Sequence, residues 1–232
     1  MRVLTIQNFA ATGLGQMAVA LDEAGVAVDI VKAHEGEPIP ADTGLYDGLI
    51  VLGGEQNALD DSGSPYFPAL LQQMRAFGRS GRAVLGICLG AQLLARAHAA
   101  ENRIGAAPEF GWCEVALTDE GRADPLTRGL PARFPIFEWH DDTFTLPEGA
   151  VRLATNGAAP NQAFRIGRGS YGVQFHFEAD RKLVREWNDI FADVIAVRHP
   201  DWGAIHQADA ERHGAVADAA GLAIARAWVR CL

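Results

Sequence analysis

The sequence has only three cysteines among its 232 residues, Cys88, Cys113 and Cys231, and they are widely separated. An odd number of distant cysteines predicts neither a disulfide framework nor a cysteine-based metal site. Long apolar runs are absent as well: the stretch Ala83–Ala95 is shorter than a membrane span and ends at Arg96. We therefore expect a soluble, cytoplasmic protein that does not contact a membrane.

Basic residues are also scarce, since 20 Lys and Arg stand against 29 Asp and Glu, for a formal charge of −9. Acids and bases are scattered rather than collected in blocks, which argues against nucleic acid or an anionic membrane as a partner. The sequence contains no Gly-x-x-x-x-Gly-Lys-Ser/Thr phosphate loop, internal repeat or low-complexity segment. It shows no cluster of metal ligands, so we expect neither a metal nor an organic cofactor.

What the first half does contain is an alternation of short apolar runs with helix-length segments, which predicts an α/β fold with a parallel sheet. Strand candidates such as Arg2–Ile6 and Tyr46–Leu52 are apolar almost throughout, as expected for strands covered by helices on both faces. Over residues 112–178, short strands with turn signals favour mixed or antiparallel pairing. After Ala179 we expect two helices separated by His199–Pro200, whose apolar faces either cover the sheet or form a homodimer surface.

The segment Ala83–Ala95 predicts a strand, a sharp turn and a helix, with Gly86-Ile87-Cys88-Leu89-Gly90 at the turn. Gly-x-Cys-x-Gly is the cysteine counterpart of the Gly-x-Ser-x-Gly nucleophile elbow, in which flanking glycines leave room for a strained turn. The first turn of the following helix supplies free N–H groups that favour a thiolate and can hold an oxyanion. Because a lone cysteine is more often a buried apolar residue, the motif needs a second element.

That second element is Gly172–Glu178, in which polar and large apolar residues alternate. If the segment is a strand, Gln174, His176 and Glu178 lie on one face. Glu178 can then hold one imidazole nitrogen of His176, while the other nitrogen is free to take a proton from Cys88. The alternative is a solvated strand face, which the position at a sheet end, just before a helix, makes less favourable.

These motifs resemble those of the class I glutamine amidotransferases, which have a glycine-rich loop after an early strand, a Gly-x-Cys-x-Gly elbow and a late His-x-Glu. They occur here in that order, as Leu52–Glu55, Gly86–Gly90 and His176–Glu178, and the resemblance covers about residues 1 to 180. The segments Glu138–Phe144 and Asn161–Arg165 are similar to those of the compact members called GMP-synthase-like. The resemblance implies a flavodoxin-like three-layer sandwich with a mainly parallel sheet. We expect one domain over residues 1–232, with a helical extension at about 181–232.

By this resemblance, Cys88 is the nucleophile, His176 the general base and acid, and Glu178 the carboxylate that orients it. The backbone N–H groups of Gly54 and Leu89 would form the oxyanion hole. Further positions similar to those that bind glutamine are Gly53, Gln92, Trp139, His140 and Asp141. Two positions depart from the pattern: Ala91 stands where many relatives carry a polar residue, and Phe177 where many carry Pro.

The implied reaction removes ammonia from glutamine through a γ-glutamyl thioester on Cys88, and the ammonia is released or passed to a separate synthetase or another ammonia-accepting protein. A γ-glutamyl peptidase would use the same residues and the same thioester, and the sequence does not separate the two. Leu89 stands where related Cys hydrolases and deglycases carry His, which argues against those families. A non-catalytic binding domain is the third alternative, and the presence of all three triad residues argues against it.

Overall fold

The computed structural model describes all residues, Met1–Leu232. The strands are β1 (Arg2–Gln7), β2 (Ala27–Lys32), β3 (Gly48–Val51), β4 (Ala83–Ile87), β5 (Asn102–Arg103), β6 (Glu109–Leu117), β7 (Arg133–His140), β8 (Thr143–Phe144), β9 (Val151–Thr155), β10 (Ala163–Ile166) and β11 (Ser170–Val173). The helices are α1 (Gln16–Glu23), α2 (Phe67–Arg79), α3 (Leu89–Ala97), α4 (Asp119–Ala123), α5 (Arg181–Ile190), α6 (Ala192–Arg198), α7 (Trp202–Asp209) and α8 (Ala215–Val229).

Nine of the strands form one mixed sheet in the order β2-β1-β3-β4-β11-β10-β9-β6-β7, while β5 and β8 pair separately. The five strands from β2 to β11 run parallel to one another. From β11 to β7 the neighbours are antiparallel. The α/β fold is confirmed, and the change from parallel to antiparallel pairing falls in the second half of the chain, as predicted.

Helices cover both faces of the sheet and give three layers. On one face, α1 and α8 bury Met17, Leu21 and Trp228 against sheet residues such as Ile87. On the other face, α2 and α3 bury a second apolar cluster that includes Phe77. Of the two expectations for the C-terminal helices, covering the sheet is confirmed for α8. None of the helices combines the length and the apolar character that crossing a bilayer requires.

The region after residue 180 is more broken than the two helices predicted from the sequence. His199–Pro200 separates two helical stretches as expected, but the first is interrupted at Phe191, and the second contains a π-helical turn at Ala210–Gly214. Part of the predicted apolar face is also open to solvent, since Ile190 is 60% exposed and Val194 is 44% exposed. Only part of the predicted apolar face is therefore buried in this region.

The predicted strand over residues 172–178 is wrong in its C-terminal part, because β11 ends at Val173. Up to that residue the strand pairs with β4 and β10. Beyond it the backbone changes partners: the Gln174 amide donates to Gln162 O at 2.8 Å, and the His176 amide donates to Phe137 O at 2.8 Å. Since Phe137 belongs to β7, the chain leaves the sheet ladder here and crosses towards the far strands.

Candidate active site

Cys88 lies in the sharp turn between β4 and α3. Its backbone has φ 51° and ψ −108°, a conformation that L-residues rarely adopt outside functional sites. The Cys88 amide donates to Val173 O at 2.8 Å, and the Cys88 carbonyl accepts from the Gln92 amide at 3.1 Å. The strained turn is thus fixed to the neighbouring strand on one side and to the first turn of α3 on the other.

The two glycines of the motif are required by close backbone approach. A Cβ added at Gly86 would lie 2.2 Å from the Gly90 carbonyl oxygen, and one added at Gly90 would lie 2.0 Å from Val51 O. Both distances are far inside van der Waals contact. The glycines therefore allow α3 to sit directly against β4 and β3, which directs the Cys88 side chain to the carboxyl edge of the sheet.

His176 and Glu178 form a buried pair although they do not belong to a regular strand. The imidazole Nδ1 lies 2.7 Å from Glu178 Oε1, and the two side chains are 6% and 2% exposed. Burial opposes a charged imidazole, but the charges of Glu178 and Cys88, with hydrogen bonds to both, outweigh it and hold the pKa of His176 well above its usual range. The pair is therefore suited to stabilise a thiolate on Cys88 as part of an ion pair.

A backbone clamp holds the segment that carries Glu178, and we name it after its residues, the Gln16–Glu178 clamp. The Gln16 amide at the start of α1 donates to Glu178 O at 2.9 Å, and its side-chain amide donates to Phe177 O at 3.0 Å. A Cβ at the preceding Gly15 would lie 2.0 Å from Glu178 O, so the approach is close. The clamp satisfies the carbonyl groups that the interrupted strand leaves without ladder partners.

The glycine-rich loop after β3 lies against the elbow. A Cβ at Gly53 would lie 3.3 Å from His176 Cε1 and 3.6 Å from Cys88 Cβ, so Gly53 fills the space between the two side chains. The Gly54 amide donates to no acceptor within the protein. Leu89 begins α3, so its amide has no partner inside the helix. Both residues line the cavity above Cys88, where such amides are available to an oxyanion.

The cavity above Cys88 has a volume of about 390 Å³. Most of the residues that the sequence predicted for the site line it, namely Cys88, His176, Gly54, Leu89, Gln92, Trp139, His140 and Asp141. Glu178 and Gly53 are not among the lining residues: Glu178 contacts His176 Nδ1, and Gly53 lies against His176 and Cys88. Gln92 is 3% exposed, and its side-chain amide donates to Gln174 Oε1 at 3.3 Å. This hydrogen bond fixes the position of the Gln92 side chain.

The three residues Trp139, His140 and Asp141 differ in how they are placed relative to the cavity. The Trp139 carbonyl oxygen accepts from Cys88 Sγ at 3.8 Å, and Asp141 pairs with Arg198 at the rim. His140 was expected among the glutamine-binding positions; it lines the cavity, but its side chain is only 1% exposed and points into the protein. Neighbouring residues of a strand face opposite sides, so Trp139 and His140 cannot both present their side chains to the cavity.

His140 instead belongs to a buried group that the sequence analysis missed, which we call the Glu–His cluster: Glu109, Glu138 and His140. The His140 Nε2 lies 3.2 Å from Glu109 Oε2 and 3.3 Å from Glu138 Oε2. Glu109 also accepts from Asn156 and Gln162. The three ligand atoms lie within 4.8 Å of one another, so the group could hold a metal ion. The same distances fit an imidazolium held between two carboxyl groups.

Without a metal ion between these residues, the pKa shifts within the Glu–His cluster keep His140 an imidazolium at neutral pH. Burial raises the pKa of Glu138 to about 7, against the opposing effect of His140. Burial alone would lower the pKa of His140, but the carboxyl groups of Glu109 and Glu138 beside its Nε2 raise it to about 10. Strand pairing brings the cluster together, since Glu109 is the register partner of His140 in β6 and β7. The sequence offered one signal of this cluster: Glu138 and His140 are two residues apart in a strand and therefore face the same side.

Comparison with known proteins agrees with this geometry. Residues 9–186 match the family described as glutamine amidotransferase class-I. The chain belongs to that family. Among its relatives, the glutamine amidotransferase-like protein YfeJ of Salmonella typhimurium is 29% identical over 160 residues, which are 68% of this chain and 67% of YfeJ. A subunit of the glutamine-hydrolyzing GMP synthase of Natronomonas pharaonis is 31% identical over 180 residues, covering 76% of this chain and 89% of that protein.

A solved structure extends the likeness of this class I glutamine amidotransferase to the whole chain. A glutamine amidotransferase from Thermotoga maritima superposes with a TM-score of 0.86 and 26% identity, covering 98% of each chain. Some relatives are longer: the chain spans 33% of the length of the Aeropyrum pernix GMP synthase that it also matches. Because the superposition with the Thermotoga maritima protein covers 98% of each chain, it includes the C-terminal helices, which lie beyond the family match.

Proposed function

We propose that this class I glutamine amidotransferase hydrolyses the side-chain amide of glutamine through a γ-glutamyl thioester on Cys88. The observation that supports the proposal most is the strained backbone of Cys88 at the N-terminus of α3, beside the buried His176–Glu178 pair. Such a pair supplies the base that a cysteine nucleophile needs, together with a carboxylate that fixes the tautomer of the base. A strained cysteine beside a buried His–Glu pair favours this reaction over the alternative of a non-catalytic binding domain.

In the first half-reaction, the Cys88 thiolate attacks the carboxamide carbon of glutamine, and a C–S bond forms. The negative charge that develops on the amide oxygen is received by the amides of Gly54 and Leu89, which are preorganised donors. His176 gives its proton to the amide nitrogen, the C–N bond breaks, and ammonia leaves. Glu178 stabilises the imidazolium before this transfer and keeps Nδ1 protonated throughout.

In the second half-reaction, a water molecule attacks the thioester carbon. His176 takes the proton of that water with the nitrogen that faced the departing ammonia. The C–S bond then breaks, glutamate leaves, and the thiolate–imidazolium pair is restored. Each step uses only acyl transfer and proton transfer, so the cycle balances without an oxidant or reductant.

We further propose that the ammonia is passed to a separate protein that accepts it. Support comes from the Natronomonas pharaonis relative, which is by its name one subunit of a GMP synthase. Glutamine is thus the proposed small-molecule substrate, and a synthetase the proposed protein partner. Co-purification of such a partner that raises the rate of glutamine hydrolysis would support this assignment, and partner-independent turnover at full rate would contradict it.

The proposed reaction is tested by incubating the purified protein with glutamine and measuring ammonia and glutamate, which should appear in equal amounts. Cys88→Ala should lower kcat by at least about 10³-fold, because it removes the nucleophile. Cys231→Ala is the matched control, since Cys231 is not among the residues that line the cavity and its thiol donates to Ala227 O at 3.5 Å. Hydroxylamine should divert the thioester to γ-glutamyl hydroxamate in the wild type. Equal turnover by the Cys88→Ala variant would overturn the proposal.

A further inference from the structure

The cavity above Cys88 is lined by both polar and apolar residues. The polar ones include residues 54–57 of the loop after β3 and Gln92. The apolar ones include three half-buried aromatic residues, Phe9, Trp139 and Phe191, and the exposed Val194. Phe191 stacks on Phe9 at 5.9 Å between ring centroids and meets Trp139 edge-on at 5.1 Å. We call Phe9, Trp139, Phe191 and Val194 the aromatic wall.

The aromatic wall is connected to the His176 imidazole through the ring of Trp187. His176 donates the proton to the leaving nitrogen, so the amine leaves next to this imidazole. The ring of Trp187 meets His176 edge-on at 5.1 Å, and Trp187 in turn contacts Trp139 at 6.0 Å. The Trp187 indole N–H donates to Ala11 O at 3.0 Å, which ties α5 to the β1–α1 loop beside Phe9.

Ammonia, the amine released from glutamine, is small and polar and makes no use of an apolar wall. Cavities of about 300–1,000 Å³ accommodate ligands of drug size, and apolar lining with a few oriented polar groups is typical of them. At about 390 Å³, this cavity has room for a glutamyl group and a substituent on its amide nitrogen. The half-buried rings would gain from contact with such a substituent, since aromatic pairs add to the free energy of burial.

The charges at the rim select against an anionic substituent. Arg198 is the one Arg or Lys among the lining residues, and it is already paired with Asp141. Glu55 and Asp142 add further acidic groups to the lining. A carboxylate on the leaving amine, as in a γ-glutamyl amino acid, would therefore meet negative charge without a free cation.

From the wall and the rim we infer that this site hydrolyses γ-glutamyl amides whose amine part is uncharged and carries an aromatic ring. The inference rests on the proposed function, because the same Cys88 thioester forms. The C–N bond breaks, His176 protonates the leaving nitrogen, and the aromatic amine departs along the aromatic wall. Water then releases glutamate as before.

The test compares kcat/KM for four substrates: glutamine, γ-glutamyl methylamide, γ-glutamyl benzylamide and γ-glutamylglycine. The methyl and benzyl compounds both release alkyl amines, so their difference isolates contact with the ring. We expect the benzylamide to exceed the methylamide by about tenfold or more, as apolar pockets discriminate among substituents by this order. γ-Glutamylglycine should be the slowest of the amides.

Phe191→Ala and Phe9→Leu should each lower the benzylamide-to-methylamide ratio towards one, because each removes part of the aromatic wall. Val197→Ala is the matched control on α6, since Val197 is 83% exposed and is not among the residues that line the cavity. Because the two substitutions lie in different parts of the chain, misfolding of one variant would not decide the outcome of the test.

The outcomes separate the two proposals. Turnover of glutamine with a benzylamide-to-methylamide ratio near one, or with γ-glutamylglycine ahead of the benzylamide, overturns the inference and leaves the proposed function standing. A ratio that is high but unaffected by Phe191→Ala and Phe9→Leu also overturns it. Absence of turnover for all four compounds, with no effect of Cys88→Ala, overturns the proposed function itself.

Discussion

At the scale of single residues, the pairing of His176 with Glu178 favours the charged form of the imidazole. Both side chains are buried, and the imidazole is held at 2.7 Å by a carboxylate whose second oxygen has no hydrogen-bond partner. A buried carboxylate with spare acceptor capacity exerts a strong field on the adjacent ring. The charge of Glu178 is therefore the main support for the imidazolium against burial.

Replacing Glu178 with glutamine should lower the pKa of His176, because the charge that raises it is removed. The thiolate–imidazolium pair becomes less populated, so kcat for glutamine should fall by at least about 10²-fold. Alkylation of Cys88 by iodoacetamide at neutral pH should slow in parallel, and its pH profile reports the change directly.

Glu186→Gln provides the control for that substitution. Glu186 lies on α5 with a side chain that is 52% exposed and paired only with Lys182, so the same chemical change occurs away from the site. Surface pairs of this kind contribute little to stability. An alkylation profile for Glu178→Gln that coincides with the profile of Glu186→Gln would show that the carboxylate does not act on the thiol.

At the scale of elements, the contact of β3, β4 and α3 depends on glycine. The Gly90→Ala substitution places a Cβ 2.0 Å from Val51 O, and backbone must shift to relieve this clash. We expect the free energy of unfolding to fall by about 2–3 kcal/mol or more, as for overpacked core sites. Chemical denaturation measures this loss.

Gly203→Ala is a matched substitution in a helix. Gly203 lies in α7 with nothing within 4 Å of an added Cβ, so alanine should change stability by no more than about 1 kcal/mol and in the favourable direction. Similar stabilities for the Gly90 and Gly203 variants would mean that the elbow tolerates a displaced α3.

Central strands of the parallel half, such as β1 and β3, could be predicted from the sequence because each is a compact apolar run that is buried in the structure. The predicted run Arg2–Ile6 ends one residue before β1 does, and the predicted run Tyr46–Leu52 contains β3. The end of β11 at Val173 could not be predicted. The alternation continues to Glu178, and only the change of backbone partners to Gln162 and Phe137 ends the strand.

The site was predictable where its residues are neighbours in the chain. His176 and Glu178 are two residues apart, and this spacing brings them together even though the strand has ended. The Glu–His cluster was missed because Glu109 meets His140 only through the register of β6 and β7, which a local pattern does not contain. The inward orientation of His140 follows from the same pairing.

At the scale of the whole molecule, the Glu–His cluster makes stability depend on pH. The carboxyl of Glu138 has a pKa of about 4.3 when unfolded and about 7 when folded, so its contribution to stability is present below about 4.3 and is lost as the pH rises through 7. The imidazole of His140 has a pKa of about 6.5 when unfolded and about 10 when folded, so its contribution to stability is present below about 6.5 and is lost as the pH rises through 10. Both groups act in the same direction.

We therefore expect the Tm of the protein to fall between pH 5 and pH 10. Glu138→Gln mimics the protonated carboxyl, so it should flatten the part of the decline between pH 5 and pH 7. Glu114→Gln on β6 is the control, because Glu114 has a side chain that is 61% exposed and pairs with Arg133 at the surface. Parallel Tm profiles for the Glu138 variant and the wild type would contradict this account.

The Gln16–Glu178 clamp has a consequence for the order of folding. Its side-chain hydrogen bond joins residues 161 positions apart in the chain, and contacts of such separation form slowly because closing the loop costs entropy. We expect the first turn of α3, in which the Cys88 carbonyl accepts from the Gln92 amide, to form before the clamp secures Glu178. During refolding the Cys88 thiol should thus pass through an interval of low reactivity towards pulsed iodoacetamide, and become reactive only as the last long-range contacts close.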